Sequence, residues 1–128
     1  ANSFILMTDD ADTILRKCKR AVTDSEGVVR AADDKPGVTN LMSIYGVLTG
    51  KSFGAIEAEF AGQGYGAFKE AVAASIIDAF APIQAEYARI LADKAYLDGV
   101  LSQGAARAAG LAQRTLTKVY KKVGLLQL

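Results

Sequence analysis

The chain has no histidine and a single cysteine, Cys18. Histidine is the commonest general base and the commonest metal ligand. Its absence excludes a Ser-His-Asp triad and a Cys-His dyad, and argues against a zinc site within these residues. Cys18 follows Leu15 by three positions on an apolar helix face. There a thiol packs as a small hydrophobe rather than reacting. With one cysteine no internal disulfide forms, and a reducing, cytoplasmic setting is the expectation. Gly50-Lys51-Ser52 resembles the end of a phosphate-binding loop, which needs four residues between its first glycine and the Gly-Lys pair. Here Gly46 leaves three, Tyr45 stands where that first glycine belongs, and the preceding segment reads as helix. Gly62, Gly64 and Gly66 lack the preceding strand and spacing of a dinucleotide fingerprint. Asp9, Asp10 and Asp12 lack the glycine turn and closing glutamate of a calcium loop, so helix capping explains them better. Asp33 and Asp34 read as solvated loop residues, and nothing activates Ser25 as a nucleophile. No catalytic residue and no cofactor or metal site is expected in this chain.

The informative chemistry is in the placement of charge. Net charge is only +1. Beyond Asp98, however, there is no acidic residue, while Arg107, Arg114, Lys118, Lys121 and Lys122 follow one another. At 100° per residue these five share about a third of a helix circumference, and Ala108, Ala112, Thr115, Val119 and Val123 point elsewhere. Such a stripe is either the solvated face of a helix or a surface that neutralises nucleic-acid phosphates. Arg16, Lys17, Lys19 and Arg20 form a second cluster, but four basic residues within five positions cannot all point one way. Residues 53–93 hold Glu57, Glu59, Glu70, Asp78, Glu86 and Asp93 against Lys69 and Arg89.

The elements that position these residues are helices. Residues are 51% hydrophobic and 23% charged, alanine is the commonest, and only Pro36 and Pro82 are prolines. Alanine loses no side-chain entropy in a helix. The length of 128 residues suits one domain with a real core. The first helix is expected to start at Asp9-Asp10 and to use Ile14, Leu15, Cys18 and Val22 as its apolar face. Thr23–Gly27 stops it, and Val28–Gly37 reads as an irregular connector. The second runs from Val38 to Thr49 over Leu41, Ile44, Tyr45 and Leu48, and Gly50 ends it. Ser52 caps a short third helix over Phe53–Phe60, and Ala61–Gly66 is a loop. A long helix follows from about Tyr65 to Leu91, with Phe68, Val72, Ile76, Phe80, Ile83, Tyr87, Ile90 and Leu91 at helical spacing. Pro82 should kink it near Asp78–Ala81 rather than end it. Asp93 caps a last helical region reaching Val123, with a break expected near Ser102–Gly104. The fold class is all-α, a helical bundle with a long Pro-kinked helix and a broken C-terminal helix. No run approaches the roughly 20 apolar residues of a membrane span, and residues 1–7 are not a signal peptide.

Several segments, taken in order, resemble one family. They are Asn2-Ser3-Phe4-Ile5, the Thr8-Asp9-Asp10 helix start, Lys19-Arg20-Ala21-Val22-Thr23-Asp24-Ser25-Glu26 and Lys35-Pro36-Gly37-Val38-Thr39-Asn40-Leu41 with Tyr45. Thr49-Gly50-Lys51-Ser52, Gly64-Tyr65-Gly66 with Phe68 and Lys69, and Gly104-Ala105-Ala106-Arg107-Ala108 follow. Together they resemble bacterial tryptophanyl-tRNA synthetase downstream of its lysine-methionine-serine-lysine-serine signature. The resemblance implies a parent enzyme that activates tryptophan with ATP and Mg and transfers it to tRNA(Trp). Both class I signatures belong to a nucleotide-binding domain absent from this chain, so no catalytic residue carries over and the chain alone should be inactive. What remains is the helical domain that meets the anticodon arm. The parent is expected to be a cytoplasmic homodimer, without a membrane or DNA partner. The start at Ala1, without an initiator methionine, is expected of a segment of a longer protein.

The expected tRNA contacts come from charge geometry. They are Arg107, Arg114, Lys118, Lys121 and Lys122, with Arg16, Lys17 and Arg20 second and Tyr120 as a stacking aromatic. Loss of a partner domain should expose an apolar patch around the first two helices. Two other readings stay open: the helical domain of the related tyrosyl-tRNA synthetase, and a stand-alone helical interaction module.

Overall fold

The structure is a computed structural model and describes residues 4–125. Among the described residues it consists of helices and connecting turns, with no strand. The helices are α1 (Ala11–Arg20), α2 (Pro36–Thr49), α3 (Phe53–Glu59), α4 (Gly64–Ala92) and α5 (Lys94–Val123). The fold is all-α, as the sequence requires.

Local chemistry explains the ends. Asp10 caps α1 by accepting the Thr13 N–H at 2.7 Å, and Ser52 caps α3 by accepting that of Ala55. A free N–H in a first turn is thereby satisfied, a contribution of about 1 kcal/mol per cap. Gly50 and Gly124 close α2 and α5 in the left-handed conformation, at φ 73° and 74°. Helix α2 begins two residues earlier than periodicity suggests, because proline fits the first helical turn, where its missing N–H costs nothing. Helix α4 likewise starts at Gly64, inside the expected loop. It runs through Pro82 without ending.

The chain forms two compact units, Ala1–Ala85 and Glu86–Leu128. The first holds the core. Ile14 and Cys18 of α1, Val38, Leu41, Met42 and Tyr45 of α2, Ile56 of α3 and Phe68, Val72, Ala73 and Ile76 of α4 are all buried, with Val29 and Phe60 from the connections. Tyr45, Phe60 and Phe68 meet edge to face, with ring centroids 5.1 to 6.3 Å apart. Such pairs contribute about 1 kcal/mol each beyond the area they bury.

Three expected apolar faces end sooner than their spacing implies. Val22 lies past the end of α1 and is 85% exposed, and Leu48 is exposed on α2. Along α4 burial stops at Ile76, with Phe80 half-buried and Ile83, Tyr87 and Leu91 exposed. Periodicity reports which residues share a face, not whether another element covers it.

In the second unit α5 is continuous across Ser102–Gly104, so the expected break is absent. Each interior glycine costs a helix about 1 kcal/mol relative to alanine. Gly104 and Gly110 stand among alanines, and the Asp93 cap on Tyr96 N–H fixes the start, so the helix propagates through them and through Gly99. None of its described side chains is buried.

Candidate nucleic-acid interface

On α5, Arg107, Arg114, Lys118, Lys121 and Lys122 are all exposed. Because the helix is unbroken, its regular turn places them within an arc of about 100° and along about 22 Å of its axis. Among the described residues none of the five makes an ion pair. Their charge is therefore not cancelled by a neighbouring carboxylate. Two of them, Lys121 and Lys122, lie in the last turn, at the negative end of the helix dipole. Tyr120 is half-buried one residue away.

The basic residues of α1 are in a different condition. Lys17 Nζ pairs with Asp9 Oδ2 at 2.5 Å and is nearly buried, and it lies 5.3 Å from the Phe4 ring centroid. The hydrogen bond from Lys17, with that from the Leu6 N–H, holds the Asp9 carboxyl below its ordinary range. Lys19 pairs with Glu70 at 2.8 Å. Arg16 donates to Thr13 Oγ1 at 3.3 Å and is otherwise exposed. Arg20 is exposed and has no ionic partner among the described residues. Of this cluster only Arg16 and Arg20 present charge to solvent without a paired carboxylate.

A polar hub escaped the sequence reading. Lys35, 3% exposed, sends its ammonium to Asp24 Oδ1 at 3.1 Å, Glu26 Oε2 at 2.5 Å and Tyr65 Oη at 3.0 Å. Tyr65 Oη donates to the Asp24 carboxylate at 2.7 Å, which lowers the Asp24 pKa to about 2, with help from the Glu26 N–H and Lys35. Burial opposes the Lys35 charge, yet the bonds to Glu26, Tyr65 and Asp24 outweigh it and raise its pKa. The hub ties the connector before α2 to the first turn of α4. Its residues are 41 positions apart at the extremes, so no periodicity could reveal it; the one signal was carboxylates spaced along a connector that ends in a lone lysine.

Cys18 is buried, and burial pushes its thiol pKa up, which fits packing rather than reactivity. The expected apolar patch around the first two helices is present. Val22 and Val47, each 85% exposed, line a groove of about 1070 Å³ with Leu48, Ile44 and Phe80. Among the described residues no helix is long and apolar enough to cross a membrane.

No family model matches the chain. Similarity to whole proteins is extensive. The tryptophan–tRNA ligase of Clostridium tetani is 46% identical over 125 residues, spanning 98% of this chain and 37% of the relative. That of Clostridium acetobutylicum is 47% identical over 125 residues, with the same coverage. The crystal structure of tryptophanyl-tRNA synthetase from Mycoplasma pneumoniae superposes with a TM-score of 0.70 at 26% identity, over 98% of this chain and 38% of that one. The chain belongs to the tryptophan–tRNA ligase family. It matches the C-terminal part of these ligases and spans little more than a third of their length. Neither the tyrosyl alternative nor the interaction module is favoured.

Proposed function

We propose that this chain is the helical, anticodon-arm-binding domain of a tryptophan–tRNA ligase. The complete protein activates tryptophan with ATP and Mg and charges tRNA(Trp), acting as a cytoplasmic homodimer. Tryptophan and ATP are bound outside these residues, and the chain alone does not activate tryptophan. The observation that supports the RNA-binding role is the row of five exposed basic side chains on α5, without a carboxylate from Gly99 onward. Phosphate neutralisation by such a row releases counterions and drives association.

The division of labour follows from the pairing of the charges. Arg107, Arg114, Lys118, Lys121 and Lys122 contact phosphates of the anticodon arm. Tyr120 offers an aromatic plane to an unstacked base of the loop. Arg16 and Arg20 are secondary contacts. Lys17 contributes least, since a phosphate would have to displace Asp9 from it. Neither a membrane nor DNA is a partner in this reading.

The test is tRNA(Trp) affinity of the full-length ligase carrying Lys118→Glu and Lys121→Glu. Both side chains are exposed, so the fold tolerates the change. At least a tenfold loss of affinity is expected, with tryptophan activation, measured as pyrophosphate exchange, unchanged. Unaltered affinity would remove the stripe from the interface. Pyrophosphate exchange above background by the 128-residue chain alone would refute the assignment of the chemistry to residues outside it.

A further inference from the structure

The five cations of α5 can hold RNA but cannot read it. Lysine and arginine side chains only donate hydrogen bonds, and phosphates are the same at every nucleotide. A base that presents an amino group beside a ring-nitrogen acceptor, adenine or cytosine, requires both an acceptor and a donor on the protein. Within the arc of the basic row, the side chains that can accept a hydrogen bond are Tyr96 and Gln103. Tyr96 stands in line with Arg114, and Gln103 in line with Lys121, each pair five whole turns apart at about 3.6 residues per turn. Both are exposed, Tyr96 to 52%. Among the described residues neither the Tyr96 hydroxyl nor the Gln103 amide has a hydrogen-bond partner. Thr115, just outside the arc, donates its hydroxyl to the Leu111 carbonyl. Gln113 and Tyr120 lie roughly 130° and 150° round the helix from the middle of the arc, so a base that met either would approach from another side.

The face is therefore divided along its length. From Arg107 onward it offers positive charge alone. One turn before Arg107, Gln103 offers an amide that donates and accepts at once. About 10 Å further along the axis, Tyr96 offers an aromatic plane. Unpaired bases of an RNA loop are read through their edges and held by stacking on such planes. We infer that Gln103 is a specificity-determining residue. Its amide reads the edge of one unpaired adenine or cytosine in the anticodon loop, and the Tyr96 ring stacks on a neighbouring base. The inference rests on the reading of the α5 face as the surface that meets the anticodon arm.

Binding of the full-length ligase to tRNA(Trp) and to a set of altered tRNAs tests it. In each altered tRNA one unpaired base of the anticodon loop is changed, cytosine to uridine or adenine to inosine, which replaces the amino group by a carbonyl oxygen. The unsubstituted ligase should bind one of these about tenfold more weakly than tRNA(Trp). Gln103→Ala should lose the same factor for tRNA(Trp) and nothing further for that altered tRNA. The slope of log K against log salt should stay unchanged, because no phosphate contact is removed. A Gln103→Ala protein that binds every tRNA as before, or weakens for all of them equally, would overturn the inference. Tyr96→Leu should weaken binding to the whole set severalfold while Tyr96→Phe, which keeps the ring, does not; full affinity of the leucine protein would take Tyr96 out of the site. Lys118→Glu with Lys121→Glu separates the two kinds of failure. If that protein loses affinity and Gln103→Ala does not, the α5 face still meets tRNA and the specificity role falls. If neither substitution alters binding, both readings fall.

Discussion

Gly37→Ala should destabilise the protein far more than a methyl group ordinarily does. Gly37 lies in the first turn of α2 with an ordinary φ, so the argument is one of space, not backbone conformation. A Cβ there would overlap the carbonyl oxygen of Val22 and come within 3.2 Å of its carbonyl carbon. Both are backbone atoms, so no rotamer change relieves the clash. Nor is the Val22 segment free to retreat. Lys69 Nζ grips it through Ala21 O at 2.8 Å and Thr23 Oγ1 at 3.0 Å, and the Ala21 N–H bonds to Cys18 O. Overpacking a close contact costs about 1–3 kcal/mol. Bonds to a charged donor contribute about 1.5–3 kcal/mol each, partly replaced by water at this half-buried site. A total loss of about 3 kcal/mol follows, which for a chain of this size lowers Tm by about 10 °C. The control is Gly54→Ala, in α3, where nothing lies within 4 Å of the new Cβ. It should be neutral or stabilising by about 0.5 kcal/mol. Urea unfolding followed by circular dichroism measures both. A Gly37→Ala protein within about 0.5 kcal/mol of the parent would refute the argument, and would mean that the α1–α2 junction shifts freely.

Two further outcomes follow from particular side chains. Asp24 is held at about 2 in the folded protein, against an ordinary 3.8. A depressed carboxyl pKa stabilises above the ordinary value, and that contribution is lost as pH falls from about 4 toward 2. Asp24→Asn should flatten the stability–pH curve in that window, and superimposable curves for the two proteins would rule out the hub as the cause. Gly104→Ala on α5 should raise thermal stability of the helix by up to about 1 kcal/mol, since nothing lies within 4 Å. A fall in ellipticity at 222 nm would show instead that the helix needs a flexible point there.

Much of the architecture was legible in the residues themselves. Asp10, Ser52, Gly50, Asp93 and Gly124 announce helix ends through chemistry confined to one turn, and each acts where expected. The core positions Ile14, Cys18, Leu41, Tyr45, Phe68, Val72 and Ile76 follow from spacing. What spacing cannot carry is the extent of cover. Val22, Ile83, Tyr87 and Leu91 keep the period yet remain exposed, because burial is decided by a second element distant in sequence. The expected break near Ser102–Gly104 overrated Gly99 and Gly104 against a long helix with a firm N-cap. The Lys35–Asp24–Tyr65 hub joins residues through tertiary structure alone. The basic row on α5 could be read directly, because a regular helix converts spacing into a face, and its lack of ion pairs became visible only with side chains in place.

The claim that the α5 face meets tRNA phosphates is tested most directly by salt. Affinity of the full-length ligase for tRNA(Trp), plotted as log K against log salt concentration, loses roughly 0.7 in slope for each single-strand phosphate contact removed. Lys118→Gln with Lys121→Gln should therefore make the slope shallower by about 1.4 relative to the parent protein. Parallel lines, with parent and variant equally sensitive to salt, would contradict the account.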